Sequence, residues 1–221
     1  MNLPRPPAAV IFDLDGLLFD TESLYQDAIM TAAEELGHDM TPAIFRTMIG
    51  RPLAQTRAFL LERYGSSFPA DELFATWHRH FAVIVETRLA VKPGVLELLD
   101  ALDTLGMPRG IATSSSHKTV QHHLGAYDLA WRFHKIVASG DYANGKPAPD
   151  PYLLAAKQLG IEPRLCLALE DSHNGVRSAS AAGMMTIMVP DLLEATDEIR
   201  SLCTLVVRDL HEVRDLVLAA H

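Results

Sequence analysis

Alternation constrains this chain more than any other feature. Five short aliphatic runs, AAVIF (Ala8–Phe12), MPRGIA (Met107–Ala112), KIVAS (Lys135–Ser139), RLCLAL (Arg164–Leu169) and MTIMV (Met185–Val189), are separated by stretches with helical spacing. Apolar runs of this length read as strands buried on both faces, and their alternation with helices points to a mostly parallel sheet covered on both sides. TLVV, from Thr204, reads as a sixth strand at an edge. Val95, Leu98, Leu99, Leu102 and Leu105 keep i, i+3, i+4, i+7 spacing, and Gly106 is placed to end that helix. Asp150 is read as an N-cap with Pro151 at N1, opening a helix that Gly160 closes. The expected fold is α/β, a Rossmann-like doubly wound parallel sheet.

One segment breaks the alternation. From Glu22 to about Ala90 no strand pattern occurs, only helical stripes: Leu24, Ala28, Ala32 and Leu36 on one face, a short helix capped by Thr41 with Pro42 at N1, then Leu53–Tyr64 and Asp71–Leu89. The expected organisation is core over 1–19, an all-helical insert over 20–90, and core again over 91–221. An insert directly after the first strand must stand over that strand's carboxyl end.

Composition excludes some functions. Nineteen Lys and Arg against 28 Asp and Glu leave a net charge of −9, which argues against nucleic acid or an anionic membrane surface as a partner. A small anion remains compatible, because one local cation can reverse the field in a cleft. Two cysteines, Cys166 and Cys203, stand in apolar surroundings without metal-ligand spacing and read as buried free thiols in a reducing compartment. With no signal-peptide pattern and no apolar stretch of spanning length, the expected location is cytoplasmic; a monomer is the expected state.

In a parallel sheet, ligands sit outside the carboxyl ends of the strands. Strand one is followed by Asp13, Leu14, Asp15 and Gly16; the second by Thr113, Ser114 and Ser115; the third by Gly140 and Asp141, with Lys146 beyond; the fourth by Glu170, Asp171 and Ser172; the fifth by Pro190 and Asp191. Carboxylates, hydroxyls and a lysine therefore converge on one edge. Asp13 and Asp15, two apart on extended chain, leave it on the same side, so one can attack as a nucleophile while the other handles the leaving group's proton. Asp15-Gly16 could otherwise be only a turn, and Asp171-Ser172 only a helix start. Carboxylates crowded around a phosphate require a hard cation, and the lack of His or Cys among them favours Mg²⁺ over Zn²⁺.

Three other readings of these motifs fail. Gly140–Lys146 fits G-x-x-x-x-G-K, but Pro147 occupies the place of the Ser or Thr that a P-loop needs. Pro147 and Pro149 are expected to hold that segment extended, with Lys146 a point charge for a phosphate. An EF-hand beginning at Asp13 would have Leu24 at its twelfth position. The pairs His78/His80 and His122/His123 lack i, i+4 spacing and read as surface histidines.

The set FDLDG, Thr113 in IATSSS, Lys146 in GKPAPD, and Glu170-Asp171 in LEDSHNG resembles the haloacid dehalogenase superfamily of phosphotransferases, in order and over nearly the whole chain. The resemblance implies Asp13 as nucleophile, Asp15 as general acid/base, and Thr113 and Lys146 as holders of the transferring phosphoryl group. It also implies Mg²⁺ on the Asp13 carboxylate, the Asp15 carbonyl and the Asp171 carboxylate, with Glu170 beside them. Gly16, Ser114 and Ser115 join Lys146 as candidate substrate-binding residues. The helical insert resembles the small cap of the subfamily that contains β-phosphoglucomutase and many sugar-phosphate phosphatases.

Departures from the mutase pattern shape the expected reaction. Tyr25 stands where the mutase carries a cap-hinge histidine, and Leu53 where it carries an arginine. Leu17, in place of the usual Thr or Val, changes little. The second aspartate, Asp15, disfavours dehalogenation. DLDGLLFDTESLY, ATSSS and GKPAPDPYLLAAK are similar to the pseudouridine-5′-phosphatase branch. The expected activity is a Mg²⁺-dependent phosphatase acting on a small phosphorylated metabolite, a sugar phosphate or a nucleoside 5′-phosphate such as pseudouridine 5′-phosphate, through an aspartyl-phosphate. The alternatives are a phosphomutase and a non-catalytic binder of phosphometabolites, against which the intact Asp13, Asp15, Lys146 and Asp171 argue.

Arg51 follows Gly50 in the insert, at the place where the cap of the resembled subfamily reaches the substrate, so the resemblance implies a contact to the leaving group through a fork of donors that Lys cannot reproduce; the alternative is a solvated arginine at a helix start. Arg51→Ala should then lower kcat/KM on the best substrate about ten- to a hundredfold, or about 1.4 to 2.8 kcal/mol. A generic aryl phosphate should be hardly affected; equal losses on both substrates would assign Arg51 to folding instead.

Overall fold

The computed structural model describes residues 2–49 and 53–221, which divide into two compact units: the chain up to Phe19 together with Val91–His221, and Asp20–Ala90. In the first unit, strands β1 (Ala9–Phe12), β2 (Arg109–Ser116), β3 (Lys135–Ser139), β4 (Cys166–Glu170), β5 (Met185–Met188) and β6 (Leu205–Val206) form one sheet in the order β3-β2-β1-β4-β5-β6. Every pair in it is parallel. This order reverses between β1 and β4, and at such a switch point the crevice beyond the strand ends opens.

Helices α1 (Thr21–Glu35), α2 (Pro42–Arg46), α3 (Leu53–Tyr64) and α4 (Ala70–Arg88) make up the second unit. The first unit carries α5 (Val95–Thr104), α6 (His117–Ala126), α7 (Asp150–Leu159), α8 (His173–Ala181), α9 (Asp197–Leu202) and α10 (Leu210–Ala219). Period-two alternation explains the core. Ala9 and Ile11 of β1 join Ala112, Val137 and Ala168 beneath Tyr152 and Ala156 of α7 and Ala179 of α8. Val10 and Phe12 point the other way and are equally inaccessible, Phe12 meeting Phe133 edge-on at 5.7 Å. No helix among the described residues is long and apolar enough to cross a membrane.

In the helical unit, α1 lies against α4. Trp77 Nε1 donates to the Tyr25 carbonyl at 2.9 Å, and the Tyr25 and Phe81 rings stack at 3.8 Å. Thr41 caps α2 by accepting from Ile44 N–H at 3.3 Å, with Pro42 in the first turn. The two ends of the unit meet, the Asp20 N–H donating to the Ala90 carbonyl at 2.9 Å. On the core's side of the same crossings, Lys92 N–H donates to the Leu18 carbonyl, also at 2.9 Å.

Several local expectations change. β2 does not stop at Ala112 but continues through Ser116, so the hydroxyl residues end the strand rather than follow it. Residues 140–149 fold into bends and turns instead of running extended. The Asp150 carboxylate pulls this loop back by accepting from the Asn144 N–H (3.2 Å) and side-chain amide (3.0 Å). Asp150 thus ties down the loop, and Pro149 takes the N-cap position. Cys166 is buried and Cys203 only half-buried; both are free.

Gly94 is required by geometry. It opens α5 at φ 86°, and a Cβ there would run into the backbone of Leu210 and His211 at the start of α10. Left-handed strain of about 1–2 kcal/mol for an L-residue would add to a backbone overlap that no rotamer relieves. Gly94→Ala should therefore lower the unfolding free energy by about 2–4 kcal/mol, read as a fall in urea midpoint at unchanged slope. A midpoint equal to the parent's would show that α10 yields freely.

Candidate active site

The ladder between β1 and β4 runs one residue past β1, the Asp13 N–H donating to the Leu169 carbonyl at 3.0 Å. This sets Asp13 beside the end of β4, where Glu170 closes the strand and Asp171 begins the turn into α8. Ser172 caps α8, its Oγ accepting from the Gly175 N–H at 3.1 Å. Asp13, Glu170 and Asp171 each bring an oxygen within 4.8 Å of the others, and all three residues are buried.

Glu170, fully inaccessible, is held from several sides. Tyr152 Oη donates to Oε1 at 2.7 Å, while the Ser172 Oγ and N–H reach Oε2 at 3.1 and 3.3 Å. Lys146 Nζ donates to both Asp13 Oδ1 and Glu170 Oε1 and lies 5.0 Å from the centre of the Tyr152 ring. Two glycines make room. A Cβ on Gly175 would overlap the Glu170 carboxylate, and one on Gly16, at φ 83°, would overlap that of Asp171.

The electrostatics are lopsided. Burial, with Glu170 and Asp15 adding to it and Lys146 opposing, pushes the Asp13 carboxyl up to about 8. Burial would lower the Lys146 ammonium, yet the charges and hydrogen bonds of Asp13 and Glu170 hold it above its ordinary value. Burial and the Glu170 charge likewise raise the Tyr152 phenol, which stays a hydrogen-bond donor. Three buried carboxylates around one ammonium form an oxygen-only, over-negative set, and this donor chemistry fits a hard divalent cation.

Asp15 stands apart from that trio. Its Oδ2 accepts from Ser115 Oγ at 2.6 Å, and its Oδ1 faces His123 Nε2 at 3.7 Å. The hydroxyls that end β2 have different surroundings. Thr113, buried, accepts from the Ser115 N–H at 3.0 Å; Ser115 holds Asp15; Ser116 caps α6; Ser114 is exposed at the strand end. His123 corrects the surface reading: α6 turns it inward to 2% exposure, edge-on to Phe19 at 5.6 Å, while His78 is exposed and His80 and His122 are half-buried. Arg51 lies outside the described residues.

Sequence reasoning did not single out Tyr152 or Gly175, read His123 as a surface residue, and placed Asp191 at a strand end without its partner Lys92, whose Nζ lies 2.7 Å from Asp191 Oδ1. The Pro147–Pro151 spacing around Tyr152 marks only a helix start. Gly175 three residues after a cap serine was the one available sign of a close approach.

Comparison with known proteins accords with this geometry. The family model for haloacid dehalogenase-like hydrolases matches residues 10–189. The chain is 37% identical over 189 residues to a protein called putative phosphatase YhcW from Bacillus subtilis, covering 85% of this chain and 86% of that one. It is 37% identical over 191 residues to the probable pseudouridine-5′-phosphatase of Drosophila melanogaster, covering 82% and 80%. Among solved structures, the putative β-phosphoglucomutase of Thermotoga maritima superposes with a TM-score of 0.81 at 28% identity, over 96% of this chain and 99% of that one. With its six-stranded parallel sheet and the ordered motifs at the sheet's switch point, the chain belongs to the haloacid dehalogenase-like hydrolase family.

Proposed function

We propose that this hydrolase is a Mg²⁺-dependent phosphatase of a small phosphomonoester, with Asp13 as nucleophile and Asp15 as general acid/base. One observation carries the reading: Asp13 shares Lys146 with Glu170 inside a buried carboxylate trio, while Asp15, two residues on, is held separately by Ser115. Two carboxylates in unlike surroundings suit unlike roles.

An Asp13 oxygen attacks phosphorus and forms the acyl-phosphate bond as the ester P–O bond breaks. The proton of the Asp15 carboxyl passes to the departing oxygen, releasing the alcohol. Asp15, now a carboxylate, takes a proton from the water that attacks the aspartyl-phosphate, and inorganic phosphate leaves with Asp13 restored. Lys146 neutralises phosphoryl oxygens, with Thr113, Ser114 and the chain at Gly16 around them. A magnesium ion held by Asp13, Asp171 and the Asp15 carbonyl, with Glu170 beside them, would supply the charge that lets a phosphate dianion approach four carboxylates.

The helical unit Asp20–Ala90 is assigned as the substrate-selecting cap. Within it a cavity of about 260 Å³ is lined by Tyr25, Phe45, Met48 and Trp77 with Glu22, flat apolar surfaces and one carboxylate that suit a sugar or base with its hydroxyl and N–H donors. A nucleoside 5′-phosphate or a sugar phosphate fits this description, and the similarity to the Drosophila protein supports the former. Hydrolysis rather than mutation is supported by Tyr25, whose stacked phenol ring replaces an imidazole.

Phosphate release over a panel of hexose phosphates, phosphoglycolate and pseudouridine 5′-phosphate tests the activity; formation of an isomeric sugar phosphate instead would identify a mutase. Asp13→Asn should keep the circular-dichroism spectrum and lose at least about a thousandfold in kcat, because an amide is a poor nucleophile. Activity within tenfold of the parent would remove Asp13 from that role.

Chelation should abolish turnover and added Mg²⁺ restore it, with a rise in thermal midpoint that follows Mg²⁺ concentration, since a cation bound only by the folded state stabilises it. Asp171→Ala should shift both titrations to higher Mg²⁺. Full activity in chelator, with metal verified absent, would contradict the assignment.

A further inference from the structure

We infer that His123 is a positioning residue for the Asp15 carboxylate, fixed in its working tautomer by His122. The inference rests on the reading of Asp15 as general acid/base and extends it to a side chain that no motif marks.

Burial poses the question. His123 is 2% exposed on the inner face of α6, against Phe19, where an aliphatic or phenyl side chain would pack without a polar cost. An imidazole persists in such a place when its nitrogens have polar neighbours, and here both do. Nδ1 lies 3.1 Å from His122 Nδ1, and Nε2 lies 3.7 Å from Asp15 Oδ1.

The tautomer follows from the first contact. Two Nδ1 atoms at hydrogen-bond distance need one donor between them. If His123 donated, its Nε2 lone pair would face a carboxylate oxygen, an unfavourable pairing of like charge density. If His122 donates, His123 carries its hydrogen on Nε2, aimed at Asp15 Oδ1. With Asp15 ionised, as it is when it draws a proton from the attacking water, the second arrangement places a positive dipole end against the carboxylate and is the favourable one.

Asp15 is then gripped from both oxygens. Oδ2 accepts from Ser115 Oγ, and Oδ1, buried and without a hydrogen-bond partner among the described residues, looks onto the His123 N–H. A separation of 3.7 Å exceeds a formed hydrogen bond, and catalytic contacts of this kind often tighten once substrate is in place. Rotation of the Asp15 carboxyl would break the Ser115 bond and turn Oδ1 away from His123. The pair thus holds the carboxyl in one plane, from which its proton reaches the departing oxygen. The α6 cap at Ser116 and the Asp15 holder at Ser115 are consecutive residues, so the helix that delivers His123 is registered to the same strand end as the serine.

The test compares kcat/KM, which reports events through formation of the aspartyl-phosphate, for two monoesters of similar shape: benzyl phosphate, whose alkoxide must be protonated, and 4-nitrophenyl phosphate, whose phenolate leaves unaided. His123→Phe keeps an aromatic ring and removes the N–H. The loss on benzyl phosphate is expected to exceed the loss on 4-nitrophenyl phosphate by about tenfold or more, within the usual range for general acid catalysis. His123→Gln, which can place an amide N–H near Nε2, should recover most of that difference. Asp15→Asn, run alongside, should give the same split and a larger one. Parallel losses on both esters in His123→Phe, or no loss on either, would overturn the inference while leaving Asp15 intact. A His123→Gln variant as selective in its defect as His123→Phe would assign the effect to ring shape and overturn it too. Parallel losses in Asp15→Asn would instead remove the acid/base reading itself, and the inference with it.

Discussion

The ammonium of Lys146 is what allows the rest of this site to exist. It lies between Asp13 and Glu170 with 6% of its side chain exposed, and it is the cation shared by two buried carboxylates. Removing one member of such a buried set typically costs about 3–5 kcal/mol, because the partners left behind have neither water nor a counter-charge. The surrounding residues meet the same requirement from other directions. Tyr152 and Ser172 complete the hydrogen bonding of Glu170, Gly175 leaves space for it, and the Tyr152 ring backs the ammonium. A lysine on an irregular loop reaches this position because Asp150 draws the loop back on itself at the start of α7.

Sheet order then concentrates the chemistry. Since β1 and β4 are neighbours while their crossovers leave in opposite directions, Asp13 and Glu170 face one crevice at the carboxyl ends of the two strands. The second strand supplies the complementary side. Its last four residues divide their work: Thr113 is buried and braces Ser115, Ser115 holds Asp15, Ser114 is exposed at the edge, and Ser116 starts α6. Asp13 is thereby committed to the charged trio and Asp15 to the Ser115 hydroxyl, although only Leu14 separates them.

Much of this was legible in the sequence because strands announce themselves, and topology fixes where the residues just past a strand's carboxyl end must lie. Lys135–Ser139 matches its strand without a shift, and the meeting of Asp13, Glu170 and Asp171 required only that the sheet be parallel. Less legible were features set by three-dimensional direction. Adjacent histidines on a helix differ by about 100° in facing, so whether His122 or His123 turns inward depends on how α6 leaves β2, which spacing alone does not encode. Nothing in the spacing of the helix that follows Pro151 marks Tyr152, and its hydroxyl gains meaning only when Glu170 arrives from 18 residues away. The capping of α7 shifted from Asp150 to Pro149 because a carboxylate can serve a preceding loop as readily as a helix.

The paired crossings at Leu18–Lys92 and Asp20–Ala90 carry a consequence for how the chain reaches this state. β1 is synthesised before its partners, and they are remote: Val10 pairs with Arg109, and Ala9 with Cys166. Contacts so distant in sequence are slow to form from an open coil. The helical segment lies wholly between those partners and its ends touch. Once it is folded, β1 and β2 are brought together by a compact body rather than by a loose loop, and the entropy of closing that loop has already been met by local helix packing. If the insert folds first in this way, its helices should acquire hydrogen-exchange protection earlier than the central strands, and the segment acts as a splint for the pairing of β1 with β2.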